Sequence, residues 1–277
     1  MELFNAVSLK CSKLVTLRYS TSFSLGIKAL AKRFHDPVFA IYGFVRFADE
    51  IVDTIKREDS SELLEEFKRD TYLAIDRGIS LNPILQSFQL VVNKYEIERN
   101  LIETFLDSME MDITVSSHDQ DSYEKYILGS AEVVGLMCLR VFVEGNGGLY
   151  DQLRAPAMRL GSAFQKVNFL RDIKDDYSSL GRVYFPRLKI EGFGEREKEL
   201  IEQDIKKDLE DGYQGILRLP KGTRLGVYMA YVYYYALFRR ISDCSPATIL
   251  NQRVRIPNIR KYSLFLSSYL RHSLNRI

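Results

Sequence analysis

The chain has 277 residues, of which 46% are hydrophobic and 27% charged, so it is long enough to bury a large core. Its formal net charge of +2 gives no electrostatic support for general nucleic-acid binding, and we expect no nucleic-acid partner. The three cysteines, Cys11, Cys138 and Cys244, are isolated, which excludes CxxC metal and redox motifs and favours reduced thiols in a cytoplasmic protein.

Helical patterns follow one another along the chain, without strand-like alternation, a fixed-period repeat or a linker. Hydroxyl-rich residues 19–24 predict a break in the first helical segment. Asp36 and Pro37 predict the start of a central helix that runs to about Lys56 and is apolar almost all round. Further helices are predicted at residues 60–78, 83–95, 98–112, 121–144, 150–178, 195–212, 221–242 and 256–275. The sequence therefore predicts a single all-α domain over residues 1–277.

Membrane and export signals are weak. Residues 1–5 lack the basic region and the long apolar run of a secretory signal. The most apolar window, residues 226–238, is too short to span a bilayer. We therefore expect a soluble, cytoplasmic protein.

The predicted central helix carries an acidic motif of the form D-x-x-x-D. Arg46, Asp49 and Asp53 fall at positions i, i+3 and i+7, so they share one face of the helix, with apolar residues around them. Two carboxylates four residues apart repel each other unless a positive charge lies between them. A divalent cation would supply that charge.

A second D-x-x-x-D motif lies far away in sequence, on the helix predicted at 150–178. Gln165, Asn168, Asp172 and Asp176 stack along one polar face of that helix. If the two motifs face each other across a helical bundle, they form an oxygen-rich site of the kind that Mg²⁺ prefers.

The positive charges near these motifs point to a diphosphate ligand. Arg46, Arg171 and Arg182 could bind phosphate oxygens that Mg²⁺ does not reach and stabilise a departing pyrophosphate. In an apolar, water-poor cavity, that departure would leave a carbocation. The chain contains no G-x-x-x-x-G-K-[ST] phosphate loop and no persuasive Ser/His/Asp arrangement.

Four segments together resemble the squalene/phytoene synthase family, whose members join two prenyl diphosphates head to head. The resemblance covers most of the chain, from about Tyr19 to Lys261. Its segments are residues 19–24 (YSTSFS), 40–53 (AIYGFVRFADEIVD), 165–176 (QKVNFLRDIKDD) and 181–186 (GRVYFP).

The resemblance implies an all-α isoprenoid synthase bundle with a central cavity and a Mg²⁺-dependent reaction, in which Mn²⁺ could substitute. Four aspartates would bind the metal and act in catalysis: Asp49, Asp53, Asp172 and Asp176. Tyr126 would stabilise a cationic intermediate or assist proton removal. Prenyl diphosphates would contact Tyr19, Ser22, Phe23, Arg46, Gln165, Asn168, Arg171 and Arg182.

Within the family, the chain looks most similar to bacterial phytoene synthases, which condense two geranylgeranyl diphosphates through a cyclopropyl diphosphate. Gly26 and Ile27 leave room for this longer substrate, and NADPH is not expected. The alternatives are a squalene or dehydrosqualene synthase that uses farnesyl diphosphate, or a non-catalytic homologue. Because the product would be very apolar, we expect peripheral membrane contact. The candidate lipid-binding surface consists of Arg253, Arg255 and the neighbouring basic residues. The alternative is that these residues form only a solvated basic face.

Overall fold

A computed structural model of the chain describes residues 1–55, 58–186, 188 and 192–274. Within these residues it forms thirteen α-helices and no β-strand, which confirms the all-α prediction. The helices are α1 (Glu2–Tyr19), α2 (Thr21–Lys28), α3 (His35–Asp53), α4 (Ser60–Arg77), α5 (Pro83–Tyr95), α6 (Arg99–Thr114), α7 (Gln120–Ile127), α8 (Val133–Val143), α9 (Gly147–Asp175), α10 (Glu195–Arg218), α11 (Lys221–Ser242), α12 (Pro246–Asn251) and α13 (Asn258–Ser273).

Most helix starts and stops follow the local signals in the sequence. Ser20 ends α1 and caps α2, because its hydroxyl oxygen accepts a hydrogen bond from the Phe23 amide at 3.2 Å. Asn82 caps α5 ahead of Pro83, and Gly78 ends α4 with a φ of +66°, which glycine adopts without a steric penalty. These caps fall where the sequence predicted them.

Several boundaries differ from the predictions. Asn146 caps α9, which therefore begins at Gly147 and not at residue 150, while α8 ends at Glu144 in a left-handed conformation. Helix α10 continues to Arg218, six residues past its predicted end. The short helix α12 was not predicted, because six residues carry too little periodicity to stand out. Asn275, the predicted end of the last helix, lies outside the described residues.

The bundle has two hydrophobic clusters, and the long helix α9 contributes to both. The first cluster joins α3, α5, α6 and α8, and its centre is a set of phenylalanines in which Phe44 stacks on Phe88 with ring centroids 3.8 Å apart. The second cluster joins the C-terminal part of α9 to α10 and α11. Tyr150 and Leu153 of α9 belong to the first, whereas Val167 and Leu170 belong to the second. Because α9 contributes to both clusters, the packing agrees with a single domain. The assignment of the whole chain to one domain stays a prediction.

One helical run among the described residues, Gln120–Val143, is long and apolar enough to cross a membrane by length and composition. It comprises α7, a π-helical turn at Leu128–Glu132, and α8. More than half of its most apolar stretch, 56%, is buried inside the protein, and the core helix of a soluble protein passes the same test. Its membrane-like composition is therefore weak evidence for a span.

Candidate active site

Helix α3 brings the first acidic motif to the wall of a large cavity. The helix is buried along Phe39, Ala40 and Phe44, so its opposite, more polar face is the one left for a ligand. Asp49 and Asp53 line the cavity, with 31% and 39% of their side chains exposed. The spacing of three and four residues thus places this motif on one open face, as predicted.

Helix α9 brings the second motif to the same cavity. Gln165, Asn168, Asp172 and Asp176 all line it. The amides are ordered by neighbouring side chains, since Tyr234 donates its hydroxyl to Asn168 Oδ1 at 3.3 Å and Gln165 Nε2 donates to Ser130 Oγ at 3.4 Å. The tertiary structure therefore unites two motifs that lie more than a hundred residues apart in sequence.

The cavity has a volume of about 770 Å³ and is polar at one end. Along α9, its lining changes from Leu153 and Ala157 to Asp172 and Asp176, and along α3 from Val38 to Asp53 in the same N- to C-terminal sense. At a rise of 1.5 Å per residue, Leu153 and Asp172 lie about 28 Å apart along the helix axis. A long apolar chain with an anionic head would fit this gradient.

The two acidic motifs line the same cavity and are close enough to repel each other electrostatically. Burial raises the pKa of Asp49 to about 8, and repulsion from Asp53 adds to the shift. Burial also raises the pKa of Asp176 to about 7, followed by repulsion from Asp172 and from Asp53 on the other helix. Without a cation, the site therefore retains protons near neutral pH.

The residues fit a hard divalent cation that is shared with a phosphate ligand. Among the described residues, no group of three or more Asp, Glu, His or Cys side chains converges closely enough to hold an ion unaided. Mg²⁺ is commonly bound in this manner, by one or two carboxylates together with water and substrate phosphate oxygens. The donor set is all oxygen, which suits Mg²⁺ and Mn²⁺. Asp49 and Asp53 from α3, with Asp172 from α9 and Asp176 at the start of the π-helical turn that follows it, would hold it.

Two of the three predicted diphosphate-binding arginines line the cavity. Arg46 pairs with Glu50 and, at 3.7 Å, with Asp49, and its guanidinium lies over the Tyr19 ring, 4.4 Å from the centroid. Its buried Nε has no hydrogen-bond partner among the described residues. Arg171 Nε bonds Asp172 Oδ1 at 2.8 Å.

Arg182 is not among the cavity-lining residues that the structure describes. It is 8% exposed and bonds Asp53 Oδ1 at 2.8 Å and the Val52 carbonyl oxygen at 3.2 Å. A parallel bridge between Ser117 and Val183 anchors its loop. Arg182 therefore contacts the first acidic motif through Asp53, and its contact with diphosphate stays a prediction.

Tyr19 and Phe23 line the cavity as expected, whereas Ser22 does not lie among its described lining residues. Ser20, two positions earlier, does line it. Because α2 begins at Thr21, the side chains of Ser20 and Phe23 share a face of that helix, and Ser22 points elsewhere. Phe23 in turn contacts Tyr234, with ring centroids 6.0 Å apart.

A buried carboxylate that sequence reasoning missed organises the predicted catalytic tyrosine. Tyr126 donates its hydroxyl to Asp112 Oδ2 at 2.7 Å, and Tyr184 donates to Asp112 Oδ1 at 3.0 Å. Arg182 lies 3.3 Å from the same carboxylate. Burial raises the pKa of Asp112 to about 6, against the attraction of Arg182. The available signal was an aspartate on the apolar face of α6, three residues after buried Met109.

Arg253 is a second residue that the sequence analysis misplaced, since it was grouped with a lipid-facing or solvated basic surface. In the structure, its Nη2 donates to Asp172 Oδ2 at 3.2 Å, its Nε lies 2.8 Å from Asp172 Oδ1, and the residue lines the cavity. Arg253 lies in the loop after α12, the short helix that the sequence periodicity did not predict. Tertiary packing alone brings this arginine to the second acidic motif.

The helical bundle with its central cavity has the isoprenoid synthase fold. A sequence profile of the squalene/phytoene synthase family matches residues 16–260, and the chain belongs to that family of prenyltransferase-like enzymes that join isoprenoids head to head. A presqualene diphosphate synthase of Sinorhizobium fredii is 30% identical over 86% of this chain and 79% of its own length. A phytoene synthase of Cereibacter sphaeroides is 31% identical over 68% of this chain and 54% of its own.

A presqualene diphosphate synthase of Rhodopseudomonas palustris is also 30% identical, and the chain spans 58% of that protein's length. Among solved structures, a dehydrosqualene synthase in complex with ligand has a TM-score of 0.82 at 20% identity, covering 96% of this chain and 98% of its own. A squalene synthase from Alicyclobacillus acidocaldarius has a TM-score of 0.75 at 17% identity, with 86% and 94% covered. These structural likenesses establish the fold.

Proposed function

We propose that the chain is a Mg²⁺-dependent synthase that condenses two geranylgeranyl diphosphates, through a cyclopropyl diphosphate, to phytoene. The observation that carries this proposal is the placement of both acidic motifs at the polar end of one long apolar cavity. Such a cavity can hold the diphosphate of a prenyl substrate at the carboxylates and its hydrocarbon chain along the helices.

The polar end supplies what the first ionisation needs. Mg²⁺, when bound, provides Lewis-acid stabilisation of the leaving diphosphate. Arg46 at the cavity wall and Arg171 next to Asp172 supply positively charged donors for the phosphate oxygens. Because these donors are already in place, little reorganisation is needed as negative charge develops on the leaving group.

The apolar walls supply what the resulting carbocation needs. Phe164 stacks on Tyr234 with centroids 4.1 Å apart, and Phe23 packs beside them, so aromatic faces line the cavity next to Gln165 and Asn168. An aromatic face attracts a cation through its quadrupole, and the surrounding side chains exclude the water that would quench it.

Tyr126 is better placed to stabilise a cation than to accept a proton. Burial, followed by the Asp112 carboxylate, raises the pKa of Tyr126 well above its ordinary value, so its hydroxyl stays protonated. That hydroxyl donates to Asp112, which leaves the oxygen lone pairs and the ring face available to the cavity.

The preference for a long substrate rests on the small side chains of the cavity wall. Nine of the residues that line the cavity are glycine or alanine: Gly26, Ala131, Gly135, Ala157, Gly161, Gly212, Gly215, Gly226 and Ala230. Gly26 and Ile27, the two residues singled out in the sequence for a long substrate, both line the cavity. A second candidate is presqualene diphosphate synthesis, because the Sinorhizobium fredii relative of that name matches 86% of the chain.

The test is product analysis by mass spectrometry after incubating pure protein and Mg²⁺ with geranylgeranyl diphosphate, and separately with farnesyl diphosphate, with and without NADPH. Phytoene from the first substrate supports the proposal. A cyclopropyl diphosphate that accumulates from farnesyl diphosphate supports the second candidate, and squalene or dehydrosqualene overturns both. The matched control is Asp172→Asn, which should release no pyrophosphate from either substrate.

A further inference from the structure

The last described helix, α13, has two apolar stripes, only one of which is covered by the protein. Phe265 and Ser268 face inward, at 6% and 1% exposure, where α13 packs against α11. The second stripe is solvent-exposed, with side chains between 52% and 86% accessible: Ile259, Tyr262, Leu266, Tyr269, Leu270 and Leu274.

These exposed residues form a continuous surface. Ile259, Tyr262, Leu266 and Tyr269 are spaced by three or four positions, so they lie on one face of the helix. From residue 259 to residue 274 the stripe is about 22 Å long. Single exposed apolar side chains are common, but a contiguous stripe of this length marks an interaction surface.

The charges around the stripe have one sign. Residues 244–274 contain five Lys or Arg side chains and no Asp or Glu. Three of them, Arg255, Arg260 and Arg271, are exposed and form no ion pair within the part of the chain that the structure describes. Tyrosine and leucine beside uncompensated basic side chains are typical of helices that lie in the interface of an anionic bilayer.

A second copy of the chain would complement this surface poorly. In a two-fold dimer the same patch faces itself, which would bring the basic side chains of both copies together without an acidic partner. Anionic lipid headgroups instead supply the missing negative charge, at about 1 kcal/mol per basic residue near the membrane surface.

The stripe also lies near the cavity. Arg253, which lines the cavity beside Asp172, precedes the first residue of α13 by five positions, so the two are at most about 17 Å apart. Helix α11, against which α13 packs, contributes Val227 and Ala230 to the cavity wall.

We propose that the exposed apolar stripe of α13, with its basic neighbours, docks the protein on an anionic lipid bilayer. The stripe would lie in the headgroup region with its tyrosines at the level of the headgroups, and the bundle would stay outside the hydrocarbon core. This assignment rests on the surface itself and not on the reaction that the cavity carries out.

The test is cosedimentation of the purified full chain with phosphatidylcholine vesicles, with and without phosphatidylglycerol. Wild-type protein should sediment with the anionic vesicles and be released by high salt. The double variant Leu266→Gln, Leu270→Gln should bind at least tenfold more weakly, since it removes two apolar side chains from the interface. Leu200→Gln is the matched control, because Leu200 on α10 is 60% exposed, as Leu266 is at 62%, and it should bind like wild type.

A second double variant, Arg260→Gln with Arg271→Gln, separates the charge from the apolar contribution. It should lose about fivefold per charge on anionic vesicles and nothing on neutral ones. Circular dichroism checks that each variant is folded. Equal binding by wild type and the leucine variant overturns the proposal, and so does a wild-type dimer that the leucine changes dissociate without any vesicle binding. Vesicle binding is read without substrate, so it is independent of synthase activity.

Discussion

Replacing Asp49 by asparagine should stabilise the metal-free protein at neutral and alkaline pH. The folded state raises the pKa of Asp49 from 3.8 to about 8, so it retains a proton that the unfolded chain releases at much lower pH. The free energy of unfolding therefore falls as the pH rises from about 4 to about 8, by at most about 1.4 kcal/mol per pH unit for this group. Asparagine cannot ionise, so the free energy of unfolding of the Asp49→Asn variant does not show this fall with rising pH.

The magnitude must be discounted, because 31% of the Asp49 side chain is exposed and water screens part of the repulsion. We expect Asp49→Asn to be more stable than wild type by about 2 kcal/mol at about pH 8, and by almost nothing at about pH 4. That difference corresponds to a rise in Tm of about 3–4 °C for a chain of this size.

The assay is thermal unfolding followed by circular dichroism, in chelator, at both pH values. Asp70→Asn, on the exposed face of α4, is the control and should change Tm equally little at each pH. Added Mg²⁺ and pyrophosphate should raise the Tm of wild type and not that of the Asp49 variant. An Asp49 variant that is no more stable than wild type at the higher pH would refute the reasoning.

Three further predictions concern buried groups. Asp112→Asn should lower kcat by tenfold or more while the protein stays folded, because the two tyrosine hydroxyls and Arg182 lose their shared anionic acceptor. Unchanged steady-state kinetics would contradict this prediction. Gly215→Ala should destabilise the bundle by about 1–3 kcal/mol in urea unfolding, since its new Cβ would lie 2.4 Å from the rigid Pro156 ring. Lys166→Met should cost about 1–3 kcal/mol by the same assay, because Asp208, 2% exposed, would keep only the Ser162 hydroxyl at 2.8 Å and the Arg159 guanidinium at 3.6 Å.

The sequence alone determined that the chain is helical and which residues form each acidic motif. The spacing of Asp49 from Asp53, and of Asp172 from Asp176, fixes each pair on one helix face by the geometry of the helix itself. Caps such as Ser20 and Asn82 are equally local, since each acts on amides within three residues. Predictions of this kind succeed because all the interacting atoms lie in one short segment.

Only the tertiary structure decided which distant groups share the site. Asp112 and Tyr126 lie on different helices. Arg253 lies in the loop that follows α12, a six-residue helix with no clear periodicity. Packing across the core also brings Arg182 to Asp53. Such contacts depend on how helices pack across the core, which helix periodicity does not encode, so no local pattern could have assigned these partners.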